Sequence, residues 1–173
     1  IFPKSSLTVG DRGIVAMGLP LSWGEEGKLI EVLSSDLLDG ASKKKVGFTA
    51  FDSDSKLLAG ALNYAYKALV YRMDAGGAKA TATIGNLIVV AKYSGTFGNK
   101  IFIAITRDAV NGLWTVITYV DGVSYDSQKV ANVTELESND YVDFTGTAGE
   151  LEVTAGVALS GGTNGEGVDS VAY

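Results

Sequence analysis

Two side chains are missing altogether from the 173 residues: there is no cysteine and no histidine. Without cysteine there is no disulfide, no thiolate-held zinc or iron–sulfur cluster and no thiol nucleophile. Without histidine the commonest general base, the usual serine triad and nearly all transition-metal catalysis are excluded as well. Basic groups are in the minority, 14 Lys and Arg against 20 Asp and Glu, for a net charge of −6. Such a chain is a poor partner for nucleic acid or an anionic membrane. No apolar run approaches the roughly 20 residues that span a bilayer. Residues 1–21 lack a basic start followed by an apolar block, so no signal peptide is read there. The absence of cysteine fits a reducing compartment. Because the first residue is Ile1, an N-terminal segment is expected to have been removed or to lie outside this chain.

Proline is scarce, at 2, whereas glycine numbers 22. Glycine in that amount, without a collagen period, points to many tight turns and short strands. With 46% hydrophobic residues the chain is long enough to bury a core without staples. Its character changes at Gly76-Gly77. Before that point, Gly13-Ile-Val-Ala-Met-Gly-Leu19 reads as a strand buried on both faces, and Lys28-Leu-Ile-Glu-Val-Leu33 as a second strand. Ser34-Ser35-Asp36 offers caps for a turn or two of helix ending at Asp39-Gly40. A longer helix is expected from about Asp52 to Lys67, with Leu57, Leu58, Ala61, Leu62 and Ala65 on one face. That face should pack on the strands around residues 14–19 and 69–72. Ala68-Leu-Val-Tyr-Arg72 is the strand that follows. Strand, helix and strand within some sixty residues is an α/β signature.

After Gly76-Gly77 the signals are strand and turn. Residues 81–93 are rich in Thr, Ile and Val, and Ile101, Ile103 and Ile105 share one face of a strong strand. Asn111-Gly112 and Asp121-Gly122 read as type I′ hairpin turns, making a three-strand meander with residues 113–120 and 123–130. A helical turn is expected within 132–139, with short strands at 141–145 and 150–155. This is an all-β sandwich or barrel of roughly 80 residues. Gly161-Gly-Thr-Asn-Gly-Glu-Gly167 reads as a connector, and both glycine pairs, 76–77 and 161–162, as flexible joints. Residues 168–173, with a capping Asp169 or Ser170, read as the start of a helix, so the α/β unit is expected to be incomplete.

Motifs that suggest chemistry fail on their spacing. Asp52-Ser-Asp54 opens like a calcium loop, but Leu57 and Asn63 stand where Gly and Glu are required, so a helix cap is the reading. The 161–167 run lacks both phosphate-loop fingerprints. Glu25 with Glu26, and Asp140 with Asp143, are carboxylate pairs of the kind glycosidases use. Nothing makes them converge, and surface charge is the expectation. Lys43-Lys44-Lys45, the one basic run, reads as a solvated face or a salt-bridge partner, with an acidic neighbouring protein as the other possibility. Asn132-Val-Thr134 is a sequon without meaning unless the chain is secreted. Tyr64, Tyr66 and Tyr71 are expected in core or interface packing. No catalytic, cofactor-binding or metal-binding residue is assigned, and no enzyme activity is expected.

The blocks Asp11-Arg-Gly-Ile-Val-Ala-Met-Gly-Leu-Pro-Leu21 and Trp23-Gly24 resemble the N-terminal region of contractile phage tail sheath proteins. The sheaths of Gram-positive phages and of phage-tail-like bacteriocins are the subgroup resembled. The likeness continues through Phe48-Thr-Ala-Phe-Asp52, Ser55-Lys-Leu-Leu58, Leu69-Val-Tyr-Arg72, Ala80-Thr-Ala-Thr83, Ala91-Lys-Tyr-Ser-Gly95, Gly98-Asn99 and Leu159-Ser-Gly-Gly-Thr-Asn-Gly165, in the family's order. None is a catalytic motif, so specificity rests on their joint order.

The resemblance implies a structural subunit that stacks as helical rings around an inner tube and contracts to drive the tube through a target envelope. It implies an α/β core carrying an inserted β domain: residues 1–78 as the first part of the core, 79–160 as the inserted domain, and 161–173 as the connector returning to a truncated core. Implied partners are other sheath subunits, the tail tube, and baseplate and tail-terminator proteins, with no nucleic acid and no membrane. The implied place is a virion tail or phage-tail-like particle, assembled in the bacterial host cytoplasm. The alternative from the residues is a carbohydrate or cell-surface binding β module. Such modules display exposed aromatics, whereas Trp114, alternating with Val116 and Thr118, reads as a buried or mixed face.

Overall fold

The structure, a computed structural model, describes residues 13–166. The fold is mostly β, with 46% strand. The start of the first resemblance block, residues 11 and 12, and the expected cap at Asp169 or Ser170 lie outside the described residues.

The N-terminal part is one small sheet with helices on one face. Strand β1 (Gly13–Leu19) lies parallel to β3 (Ala65–Arg72), and β2 (Leu29–Leu33) lies antiparallel along the other side of β3. Between β2 and β3 run three short helices, α1 (Ser34–Asp39), α2 (Ser42–Val46) and α3 (Lys56–Leu62), the last preceded by a 3-10 turn at Ser53–Ser55. Leu19, Val32, Ala68 and Val70 of the sheet meet Leu37, Val46, Leu58 and Leu62 of the helices and the neighbouring loop residues Leu21 and Phe48.

Among the described residues nothing packs over the opposite face of this sheet. β1 is not buried on both faces: Ile14 is 54% exposed, and Ala16 and Gly18 beside it are exposed too. The reason is position, since β1 is an edge strand covered on one side only. Leu29 and Tyr71, paired across β2 and β3, share the open face.

The expected helix over 52–67 is cut at both ends. Residues 53–55 tighten into the 3-10 turn, and α3 stops at Leu62. From Ala65 the sequence alternates as a strand, Ala68, Val70 and Arg72 inward, and cross-strand pairing on both sides outweighs helix propensity. A bulge after Ala65 sets that phase, because Gly13 pairs with Ala65 but Ile14 pairs with Lys67. The buried face of α3 is therefore Leu58, Ala59 and Leu62 with Ser55, while Leu57 is 68% exposed and Ala65 belongs to the strand.

The second part is a sandwich. One sheet has the order β10-β6-β5, from Val142–Gly146, Leu87–Ser94 and Lys79–Ile84. The other has the order β11-β7-β8-β9, from Thr154–Ala158, Ile101–Arg107, Trp114–Val120 and Val123–Val130. Strict alternation places Ala80, Ala82 and Ile84 against Ile101, Ile103 and Ile105 in one core. Asp121-Gly122 forms the expected two-residue hairpin, with φ values of 52° and 81°. Asn111-Gly112 does not. It lies in a longer loop over 108–113, where the Asp108 carboxylate accepts hydrogen bonds from the Val110 and Asn111 backbone N–H groups and rounds the turn. The 132–139 stretch holds a 3-10 turn at Val133–Glu135, and the last sandwich strand begins at Thr154 rather than 150.

The chain crosses between the parts twice. The ingoing strand β4 (Ala75–Gly76) and the outgoing strand β12 (Gly165–Glu166) pair with each other as an antiparallel ribbon. One glycine of each flanking pair is packed, whereas Gly76 and Gly161 have open space around them. A side chain at Gly77 would strike the Thr163 carbonyl, and one at Gly162 the Gly95 carbonyl.

Candidate functional site

The richest constellation among the described residues is the seam between sheet and sandwich. Leu19 at the end of β1, and Leu21 and Trp23 in the loop after it, all point inward, at 5%, 1% and 0% exposure. Leu19 and Leu21 belong to the first core, but Trp23 enters the second. Its ring lies 5.2 Å from Tyr93, 5.2 Å from Phe97 and 5.9 Å from Tyr141, and its Nε1 donates to the Lys44 carbonyl at 3.0 Å. The sandwich core is thus closed by a residue from outside it.

Arg72, the last residue of β3, is fully buried at the mouth of the insertion. Nη1 donates to the Gly24 and Ser94 carbonyls, both at 2.9 Å, and Nη2 to the Asn164 carbonyl at 3.4 Å. Burial pulls its pKa down while Glu26 and Asp74 oppose that; an arginine stays charged regardless. Glu26 stands 3.8 Å away, accepts hydrogen bonds from the Ser94 hydroxyl and the Gly76 N–H, and is held below the usual carboxylate range by these contacts.

The lysine row on α2 faces the same seam. Lys43 pairs with Asp121 of the hairpin at 2.8 Å, and Lys44 with Asp140 at 3.0 Å. Lys45 turns back to Asp36 at 2.7 Å. The row is a set of internal salt bridges, as one of the sequence readings had it. Asp140 also accepts from the Tyr125 hydroxyl at 2.6 Å, and this bond, then the one from Lys44, lowers its pKa. Burial, and then the same carboxylate, push the Tyr125 hydroxyl well up. A crevice of about 400 Å³ runs along the seam, between β2, Lys44, Lys45, Tyr93 and Asp140.

The remaining candidates scatter. Glu25 pairs with Lys28, Glu26 with Arg72, Asp140 with Lys44 and Asp143 with Lys92, so each carboxylate has its own cation. Asp52 stands at the N-cap position of the 3-10 turn but its side chain does not cap it: the carboxylate accepts from the N–H and hydroxyl of the preceding Thr49. Residues 161–166 of the glycine run lie against the seam through Asn164 and Gly162. Asn132 accepts from the Thr134 N–H, a local cap of the Val133–Glu135 turn. Tyr64, Tyr66 and Tyr71 are surface residues, 86%, 44% and 45% exposed, because the strand displaces them from any helix face. Trp114, Val116 and Thr118 point into the sandwich, at 4%, 2% and 1% exposure.

Sequence reasoning missed Trp23 and Arg72. A signal existed for both. Leu19-x-Leu21-x-Trp23 has the period of a half-buried strand, and Arg72 occupies the inward phase set by Ala68 and Val70.

A family model described as the phage tail sheath protein beta-sandwich domain matches residues 75–164, just over half of the chain. The chain belongs to the phage tail sheath family. This sheath chain is 39% identical to a sheath tail protein of Desulfitobacterium hafniense, with a TM-score of 0.83 over 99% of this chain and 40% of that one. A sheath tail protein of Listeria innocua is 35% identical, with a TM-score of 0.82 over 93% of this chain and 36% of that one. The phage-like element PBSX protein XkdK of Bacillus subtilis strain 168 is 34% identical over 96% of this chain. The YqbK protein of the same strain is 35% identical over 93%. The sheath chain spans about two fifths of the length of these relatives, 38% and 39% of the two Bacillus proteins.

Proposed function

We propose that this chain is part of a contractile tail sheath subunit, which assembles with its copies as helical rings around an inner tube and contracts to drive that tube through a target envelope. The observation that carries the reading is the agreement with sheath tail proteins across both of its parts, with a TM-score of 0.83 over 99% of the chain. Residues 1–78 are then the first part of an α/β core, 79–160 an inserted β domain and 161–173 the connector returning to the core. The parallel β1–β3 pair with helices on one face supports that division, and the open face at Ile14, Leu29 and Tyr71 is where the rest of such a core would pack.

Its partners are other sheath subunits, the tail tube, the baseplate and the tail terminator, and assembly takes place in the host cytoplasm. The energy of contraction is stored in the assembled lattice, not drawn from a nucleotide. Electron microscopy of the full-length protein tests the reading. Striated tubes are expected; dispersed monomers under all conditions would overturn it.

A further inference from the structure

We propose that Arg72 is a positioning residue that sets the placement of the sandwich on the N-terminal sheet. The inference does not depend on assembly into a tail. Two glycine pairs flank the insertion, and a chain that enters and leaves through adjacent strands can hinge there. The guanidinium removes that freedom. It sits at the end of β3, and its carbonyl partners come from three separate stretches. Gly24 follows β1, Ser94 ends β6 of the sandwich, and Asn164 is on the outgoing segment.

Each partner is tied further. The Asn164 side-chain oxygen accepts from the Thr96 N–H and hydroxyl at 2.8 and 3.0 Å, binding the outgoing segment to the sandwich. Glu26 joins the 20–28 loop to both Ser94 and the ingoing strand. A planar fork of donors meets several carbonyls at once in a fixed geometry, which a single ammonium does not. Because the site is buried, losing the fork leaves those carbonyls unpaired, and the structure relieves that by letting the parts move apart.

The sequence has no cysteine, so spin labels go only where they are placed. Ser35→Cys on α1 and Ser127→Cys on β9, both exposed, report across the seam. Thr83→Cys with Ser127→Cys reports within the sandwich. Pulsed electron–electron resonance on the whole chain should give narrow distance distributions for both pairs. In Arg72→Met the seam distribution should about double in width, as for hinged domains, while the sandwich pair stays narrow. Arg72→Lys should broaden the seam as well. If both pairs stay narrow in Arg72→Met, Arg72 does not position the sandwich. If both broaden, it supports the sandwich fold itself and the proposal fails. Full recovery in Arg72→Lys would overturn the role of the fork.

Discussion

Replacing Trp23 with alanine should destabilise the sandwich although the residue lies more than fifty positions before the first sandwich strand. The side chain is fully buried among Tyr93, Phe97 and Tyr141. Truncating a buried aromatic to alanine costs about 3–5 kcal/mol. The Lys44 carbonyl also loses its indole donor, worth about 0.5–1.5 kcal/mol more. If the 173 residues melt as one unit through the shared core, each kcal/mol moves the midpoint by about 2–4 °C, so the melt should fall by on the order of 10–20 °C. The assay is built into the composition. The chain has only two tryptophans, and in the Trp23→Ala variant the remaining one, Trp114, lies inside the sandwich and reports its melting by fluorescence. Trp23→Phe keeps a ring but not the donor, and should cost about 1–2 kcal/mol. A Trp23→Ala midpoint within about 4 °C of the parent would mean less than about 2 kcal/mol and would refute the shared core.

Two further expectations follow from the same geometry. Leu58→Ala should cost about 2–5 kcal/mol because the side chain is fully buried, while Leu57→Ala, 68% exposed, should stay within about 0.5 kcal/mol; equal losses in urea melts would return Leu57 to the packed face. The Asp140 carboxyl is held low by Tyr125 and Lys44, so its folded pKa lies below its unfolded value and its contribution is present above about pH 4 and lost as the pH falls. The parent should therefore lose more stability between pH 5 and 2.5 than Asp140→Asn does, and equal losses would show that the seam bridge adds nothing.

Local chemistry made much of the fold legible. The bounds of β1 follow from a short unbroken apolar run, those of β2 lie within one residue of the expected 28–33, and the inward alternation of Ile101, Ile103 and Ile105 and the Asp121-Gly122 hairpin follow from period-two patterning and turn residues within a few positions of each other. The helix over 52–67 misled because Leu57, Leu58, Ala61, Leu62 and Ala65 fit a helical stripe and a strand onset alike. Only the pairing of Ala65–Arg72 with β1 and β2 decides between them. Asn111-Gly112 misled because the Asp108 side chain, three residues upstream, sets the loop instead. The seam was least legible. Arg72 meets Gly24, Ser94 and Asn164, partners 48, 22 and 92 residues away, and no window along the chain holds all four.

The ribbon formed by Ala75–Gly76 and Gly165–Glu166 also fixes how force travels. A pull applied along the backbone across residues 72 to 166 passes first through two short strands lying side by side, not through the ninety residues between them. Opened from one end, that ribbon parts one bond at a time, and Arg72 backs it at its base by gripping the Asn164 carbonyl. The ribbon is therefore a mechanical shunt: together with the Arg72 grip, which also holds the Ser94 carbonyl of the sandwich, it bears a pull across residues 72 to 166 before the chain between them is stretched.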